Sequence, residues 1–83
     1  MPEQGKFNLT VMDIDTILYK NEVTNVVVPG DKGEFELLQF HYPVLNLLKA
    51  GDIIIDWKEY ITVNRGIVKF LKDDCTIIVE IAD

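Results

Sequence analysis

The sequence is short of the residues from which most active sites are assembled. Its 83 residues include one histidine, His41, one cysteine, Cys75, and one tryptophan, Trp57. A lone cysteine has no intramolecular disulfide partner. One His and one Cys fall short of the three or four N or S ligands of a tetrahedral zinc site. No G-x-S-x-G elbow, second histidine or cysteine with electropositive neighbours offers a nucleophilic centre. Basic residues are outnumbered, with 8 Lys and Arg against 14 Asp and Glu and a net charge of −6. The deficit is even along the chain, and no basic patch exists to hold nucleic acid or anionic lipid. No apolar run approaches the ~20 residues of a membrane helix, and no basic-then-apolar signal segment opens the chain. These absences predict a soluble, cytosolic, non-catalytic protein with no cofactor, no nucleic-acid partner and no insertion into a bilayer.

What is present is apolar and regularly punctuated. Hydrophobic residues make up 48% of the chain, which argues against disorder and for one small packed domain over residues 1–83. Residues 1–6 are polar and predict a loose terminus. From Phe7 the pattern alternates, with Phe7, Leu9 and Val11 on one side and Asn8 and Thr10 on the other, the period of a half-buried strand. The phase shifts around Asp13-Ile14-Asp15, predicting a bend or bulge. Further short runs follow at Ile17–Tyr19, Val23–Val28, Phe35–Leu38, Leu45–Leu48, Ile53–Trp57, Tyr60–Val63, Ile67–Leu71 and Thr76–Ile81. Turn chemistry separates them at Lys20-Asn21, Pro29–Gly33, Gly51-Asp52, Asp56–Glu59, Asn64–Gly66 and Lys72–Asp74. Many short strands at this spacing predict an all-β fold, a sandwich or barrel. Only Pro43–Lys49 offers a helical turn, too short to stand alone.

Several local features invite a chemical reading. Pro29-Gly30-Asp31-Lys32-Gly33 places glycines beside a lysine, but a phosphate loop needs Gly-Lys-Ser/Thr at a helix start. A strand follows here instead, and the segment reads as a β-turn, with Gly30 and Gly33 in positive φ and Pro29 ending the ladder before it. Cys75 reads as a small buried strand residue. Trp57 falls at a hairpin tip and is expected to fold back over the edge of the domain. Phe40 and Tyr42 flank His41 and either contact a partner or fill a local gap.

The run Val26–Gly51 carries a resemblance. Val26, Pro29, Gly30, Gly33, Glu34, Phe35, Leu38, His41, Pro43, Leu45, Leu48, Lys49 and Gly51 stand in register with the pattern V-x-x-P-G-x-x-G-E-F-G-V-L-P-x-H-x-P-L-L-x-x-L-K-x-G. Upstream, Leu18, Tyr19, Glu22 and Val23 resemble L-F-x-x-E-V. Downstream, Val63–Gly66 sits at V-S-G-G and Ile81-Ala82-Asp83 at L-A-D. This pattern is that of the N-terminal β-sandwich of the ε subunit of F-type ATP synthases, which the chain resembles from about Phe7 to Asp83. Glu36, Gln39 and Phe40 depart from it, replacing a glycine and a Pro-small pair, and Arg65 replaces a glycine.

The resemblance implies a flattened sandwich of two antiparallel sheets with roughly nine to ten strands. It implies a non-catalytic central-stalk rotor subunit that links the γ subunit to the membrane c-ring, transmits torque in proton- or sodium-driven ATP synthesis, and lies peripherally on the cytoplasmic side of the membrane. Family members continue past L-A-D into a helical hairpin, so the resemblance is to a short form limited to the β domain. By the same resemblance, Gly33, Glu34, Phe35 and His41 form the interface with the c-ring or γ. The leading alternative is a free-standing recognition module. A rotor subunit predicts a contiguous apolar face rimmed by charge, whereas a recognition module predicts a pocket with converging polar groups.

Overall fold

The computed structural model describes residues 5–82. Most of the expected loose terminus at 1–6, together with Asp83, lies outside them. The elements are all strands: β1 (Phe7–Met12), β2 (Ile17–Val23), β3 (Asn25–Gly30), β4 (Gly33–Leu38), β5 (Val44–Leu48), β6 (Gly51–Ile55), β7 (Glu59–Leu71) and β8 (Asp74–Ile81). The eight strands make one continuous hydrogen-bonded sheet in the order β2-β1-β8-β7-β5-β3-β4, with β6 bonded to β3 and β7.

That sheet bends over on itself at one place. β5 and β6 run in succession antiparallel to β7, from Val44↔Phe70 to Leu48↔Gly66 and from Gly51↔Val63 to Ile55↔Glu59. Between the two stretches Lys49-Ala50 faces Asn64-Arg65, and the pairing of β7 with β8 slips by one residue between Val63 and Arg65. Asn64 is therefore an extra residue, a β-bulge that raises local twist and bends the strand. Because side chains alternate with a period of two, one extra residue reverses which parity faces inward. Ile61 and Val63 face the core before the bulge, and Val68 and Phe70 after it. The same reversal occurs on the other strand, from Val44 and Leu48 to Ile53 and Ile55. One layer comprises β2, β1, β8, the second half of β7, and β5. The other comprises the first half of β7, β6, β3 and β4.

The inward rows of both layers meet in a single core that includes Phe7, Leu9, Val11, Val26, Val28, Leu37, Ile53, Val68, Phe70 and Ile77. Cys75 is fully buried in it, as expected, and desolvation pushes its thiol up to about 12, with Asp74 adding to the shift. The all-β sandwich is as expected, with eight strands close to the nine or ten anticipated. One pairing differs from an all-antiparallel scheme, since β1 lies parallel to β8 from Asn8↔Asp74 to Met12↔Ile78.

The differences from expectation have local causes. Asn64–Gly66 is the bulge inside the 13-residue β7 rather than a turn. Lys20-Asn21 lies within β2, paired to Thr10 and Leu9. Pro43–Lys49 holds strand β5 and no helical turn, because each residue of Val44–Leu48 finds a partner on β7. The ladder also runs through Pro29, paired with Glu34. The Pro29 carbonyl accepts from Lys49 N (2.9 Å), so its donor-less nitrogen points toward the β5–β6 junction, where the ladder is already broken. A Cβ on Gly51 at that junction would lie 2.9 Å from the Pro29 Cβ, so only glycine lets the strands approach there. Of the two turn glycines, Gly33 has positive φ (135°) while Gly30 does not.

Candidate functional site

The predicted interface residues do not converge on one point. Gly33 and Glu34 begin β4, an edge strand bonded only to β3. Glu34 is exposed, and the pleat places it and Glu36 on the outer side while Phe35 turns inward against the core. His41 N donates to the Leu38 carbonyl (3.1 Å) at the far end of the strand. Four extended residues separate Leu38 from Glu34, on the order of 13 Å. Phe35 and His41 do share one concavity, with Tyr42, Val44 and Asn46.

His41 is half-buried and tightly placed. Its Nδ1 donates to the Tyr42 carbonyl (2.8 Å), and its ring stands edge-on to Phe70 with centroids 5.8 Å apart. Phe70 is in turn edge-on to Phe7 at 5.2 Å, and the Tyr42 ring lies over His41 at 4.2 Å and 33°. Four rings thus run from the core to the surface. Their outer end is open, with Tyr42 73% and Phe40 83% exposed. Neither aromatic fills a gap. Trp57 also stands out, 62% exposed, contrary to the expectation that it folds back. The reason is the turn, since Asp56 and Trp57 both take positive φ (53° and 56°) in the three-residue loop between Ile55 and Glu59, where Lys58 N donates to the Ile55 carbonyl (2.9 Å) and the indole is left outside. Asp56 anchors that turn, accepting from Thr24 N (2.8 Å), Thr24 Oγ1 (2.9 Å) and Asn25 N (3.2 Å).

The two outer faces of the sandwich differ. On the first layer, register lines up Leu47↔Ile67↔Ile78↔Met12↔Ile17 across five strands. Leu47 (59%), Ile78 (47%) and Ile17 (52%) are exposed, and no described residue covers the row. The next row, Leu45↔Lys69↔Thr76↔Thr10↔Lys20, is polar with a lysine at either side. On the other side Arg65 Nε donates to Glu80 Oε2 at 3.1 Å. An apolar row bordered by charge is the pattern of a docking face. On the second layer the outward side chains mix carboxylates, Glu34, Glu36 and Asp52, with the apolar Val27, Leu38, Ile54 and Tyr60.

A shallow concavity beside the apolar row is lined by Asn8, Thr10, Lys20, Glu22, Asp74 and Thr76. No buried side-chain N or O among the described residues lacks a partner, so no unsatisfied buried polar group points into it. Among those residues, no three His, Cys, Asp or Glu cluster as metal ligands would, and no helix is long and apolar enough to cross a membrane. The apolar row escaped sequence reasoning because it is assembled across strands. Its members come from five segments, and only the register brings them together.

The fold is a bent β-sandwich with an exposed apolar row on one outer face. Residues 6–83 match the family described as ATP synthase, Delta/Epsilon chain, beta-sandwich domain, and the chain belongs to that family. It is 30% identical over 80 residues to the ATP synthase epsilon chain of Sulfurimonas denitrificans, covering 92% of this chain and 62% of that one. It is 38% identical over 66 residues to the epsilon chain of Helicobacter pylori strain Shi470, covering 76% and 54%. The chain thus spans somewhat over half the length of these relatives. Two solved assemblies contain chains with this fold. They are the central stalk and c-ring of Tetrahymena thermophila mitochondrial ATP synthase (TM-score 0.76, 13% identity, 95% of this chain and 66% of that one) and Euglena gracilis mitochondrial ATP synthase (TM-score 0.75, 14% identity, 100% and 59%).

Proposed function

We propose that this domain is the β-sandwich of a central-stalk rotor subunit of an F-type ATP synthase. It is non-catalytic, sits on the cytoplasmic side of the energy-transducing membrane, and links the γ subunit to the c-ring so that torque from proton or sodium flow passes through it. The observation that carries this reading is the uncovered row Leu47–Ile67–Ile78–Met12–Ile17, which offers γ a flat apolar seat bounded by lysines and an ion pair. The acidic edge with Gly33 and Glu34 faces the ring, where carboxylates set register against basic or amide groups more than they add affinity. Phe35 and His41 brace these contacts from within. A rigid core suits a torque-bearing part, because close-packed interiors yield little under load.

The test is binding to the γ subunit of the same complex, measured by interferometry beside a melting curve. Leu47→Asp with Ile78→Asp should keep stability within ~0.5 kcal/mol per surface change while weakening γ binding about tenfold or more. Glu34→Ala should melt normally and lower recovery of the c-ring in reconstituted complexes. Normal γ binding by the double variant would remove the basis for this reading. A free-standing recognition module, the alternative, would instead bind neither γ nor ring.

A further inference from the structure

The loop between β4 and β5 holds two aromatics that the fold itself does not use. Phe40 adopts φ 67°, the left-handed region that strains a non-glycine residue. The conformation is held in place, since Phe40 N donates to Asp73 Oδ1 (2.7 Å) and the Asp73 carbonyl accepts from Asn8 N (3.0 Å). One residue of the β7–β8 turn thereby pins both this loop and the start of β1. The Phe40 ring, 83% exposed, returns nothing to the monomer for that strain. Tyr42 is fixed differently, at the end of the ring series Phe7–Phe70–His41–Tyr42. Both rings are exposed, with Tyr42 stacked on His41 and the Phe40 backbone fixed by Asp73, so less ordering is left for binding to impose.

Their surroundings say what would cover them. Phe40 and Tyr42 wall a cleft of about 520 Å³ with Pro43 and Leu71, and the adjoining concavity has Leu45 at its rim. Leu45 is the side-chain neighbour of Leu47, so the cleft continues the apolar row around the edge of the sandwich. The exposed cations there are Lys72 in the cleft and Lys69 in the concavity. The carboxylate of the cleft, Asp73, is already bonded to Phe40 N. With two cations against the one carboxylate of Asp73, this apolar corner favours an apolar segment flanked by Asp or Glu.

We infer that Phe40 and Tyr42 are a preorganised aromatic anchor that determines which stalk partner this chain accepts, gripping an apolar, acid-flanked segment of that partner. The inference rests on the docking face proposed above and extends it.

The test uses the whole chain and the γ subunit of the same complex. Phe40→Gly removes one ring and its backbone strain together, and Tyr42→Ala removes the other. Each should lower γ affinity about tenfold or more, with Phe40→Gly melting no lower than the parent. Lys69→Glu with Lys72→Glu should weaken binding too, and more at low salt than at high. Unchanged affinity in both ring variants, while Leu47→Asp with Ile78→Asp still weakens binding, would overturn the anchor and leave the docking face standing. A parent chain that does not bind γ would overturn both. A large fall in melting temperature in both ring variants would make the rings packing elements and end the proposal. Self-association by light scattering, or sedimentation with phosphatidylcholine–phosphatidylglycerol vesicles, abolished by Phe40→Gly would assign the corner to a second copy or to lipid, and would likewise overturn it.

Discussion

At the scale of single residues, Asp56 shows how a short side chain can hold two elements together. Burial alone would raise its pKa, but the bonds from Thr24 N, Asn25 N and Thr24 Oγ1, with Lys58 nearby, outweigh that and hold the carboxyl below its ordinary value. A group whose folded pKa is depressed stabilises the fold above its unfolded pKa, and that contribution is lost as pH falls through the folded value. Asp56→Asn keeps an acceptor oxygen but loses the charge, and should therefore cost only about 0.5 kcal/mol near neutral pH. It should also flatten the acid limb of the stability profile below about pH 4. Guanidinium titrations at pH 7 and pH 3 check both, and an equal loss at the two pH values would contradict the assignment. The sequence marked Asp56–Glu59 as a turn but did not show where the indole would go. That depends on a pair of positive φ values, set by the carboxylate reaching residues 24 and 25.

At the scale of elements, the bulge at Asn64 does most to shape the molecule. Most strands were legible because alternation is local, although Val23–Val28 spans the break between β2 and β3 and Ile53–Trp57 runs past β6 into the turn. What could not be read was continuity. A glycine-containing Asn-Arg-Gly looks the same whether it ends a strand or bulges one, and the difference lies in whether β5, β6 and β8 continue alongside. Pro29 and Pro43–Lys49 were misjudged for the same reason, since partners far along the chain decide whether a segment is extended. The docking row was still less legible, because it exists only as a register. Deletion of Asn64 tests the bulge, since it would leave β7 with one parity and force Val63 or Val68 out of the core. The expected result is loss of the cooperative melting transition, whereas Asn64→Ala should melt nearly as the parent does. A folded deletion variant would show that the bend does not need the extra residue.

At the scale of the whole molecule, the apolar row lies on one layer and the Glu34 edge on the other. The principal-axis extents of 41 × 25 × 21 Å describe an elongated molecule. The family resemblance was legible from glycines, prolines and the Gly-Glu-Phe run because these mark turns, which depend on only a few residues. The orientation of Glu34 away from His41 was not, because it follows from pleat and strand length. The parallel pairing of β1 with β8 carries a further consequence. A pull that draws Phe7 and Ile81 apart acts along those two strands in opposite directions, so it loads the pairs from Asn8↔Asp74 to Met12↔Ile78 together. Peeling a hairpin breaks such bonds one at a time, but sliding two parallel strands requires them to fail at once. Stretched between those positions in an optical trap, the domain should resist abruptly and then yield in a single event. Drawn instead from positions 23 and 7, at the open end of the β1–β2 hairpin, it should unzip at much lower force. For the rotor role proposed above, this makes the domain toughest along its first and last strands.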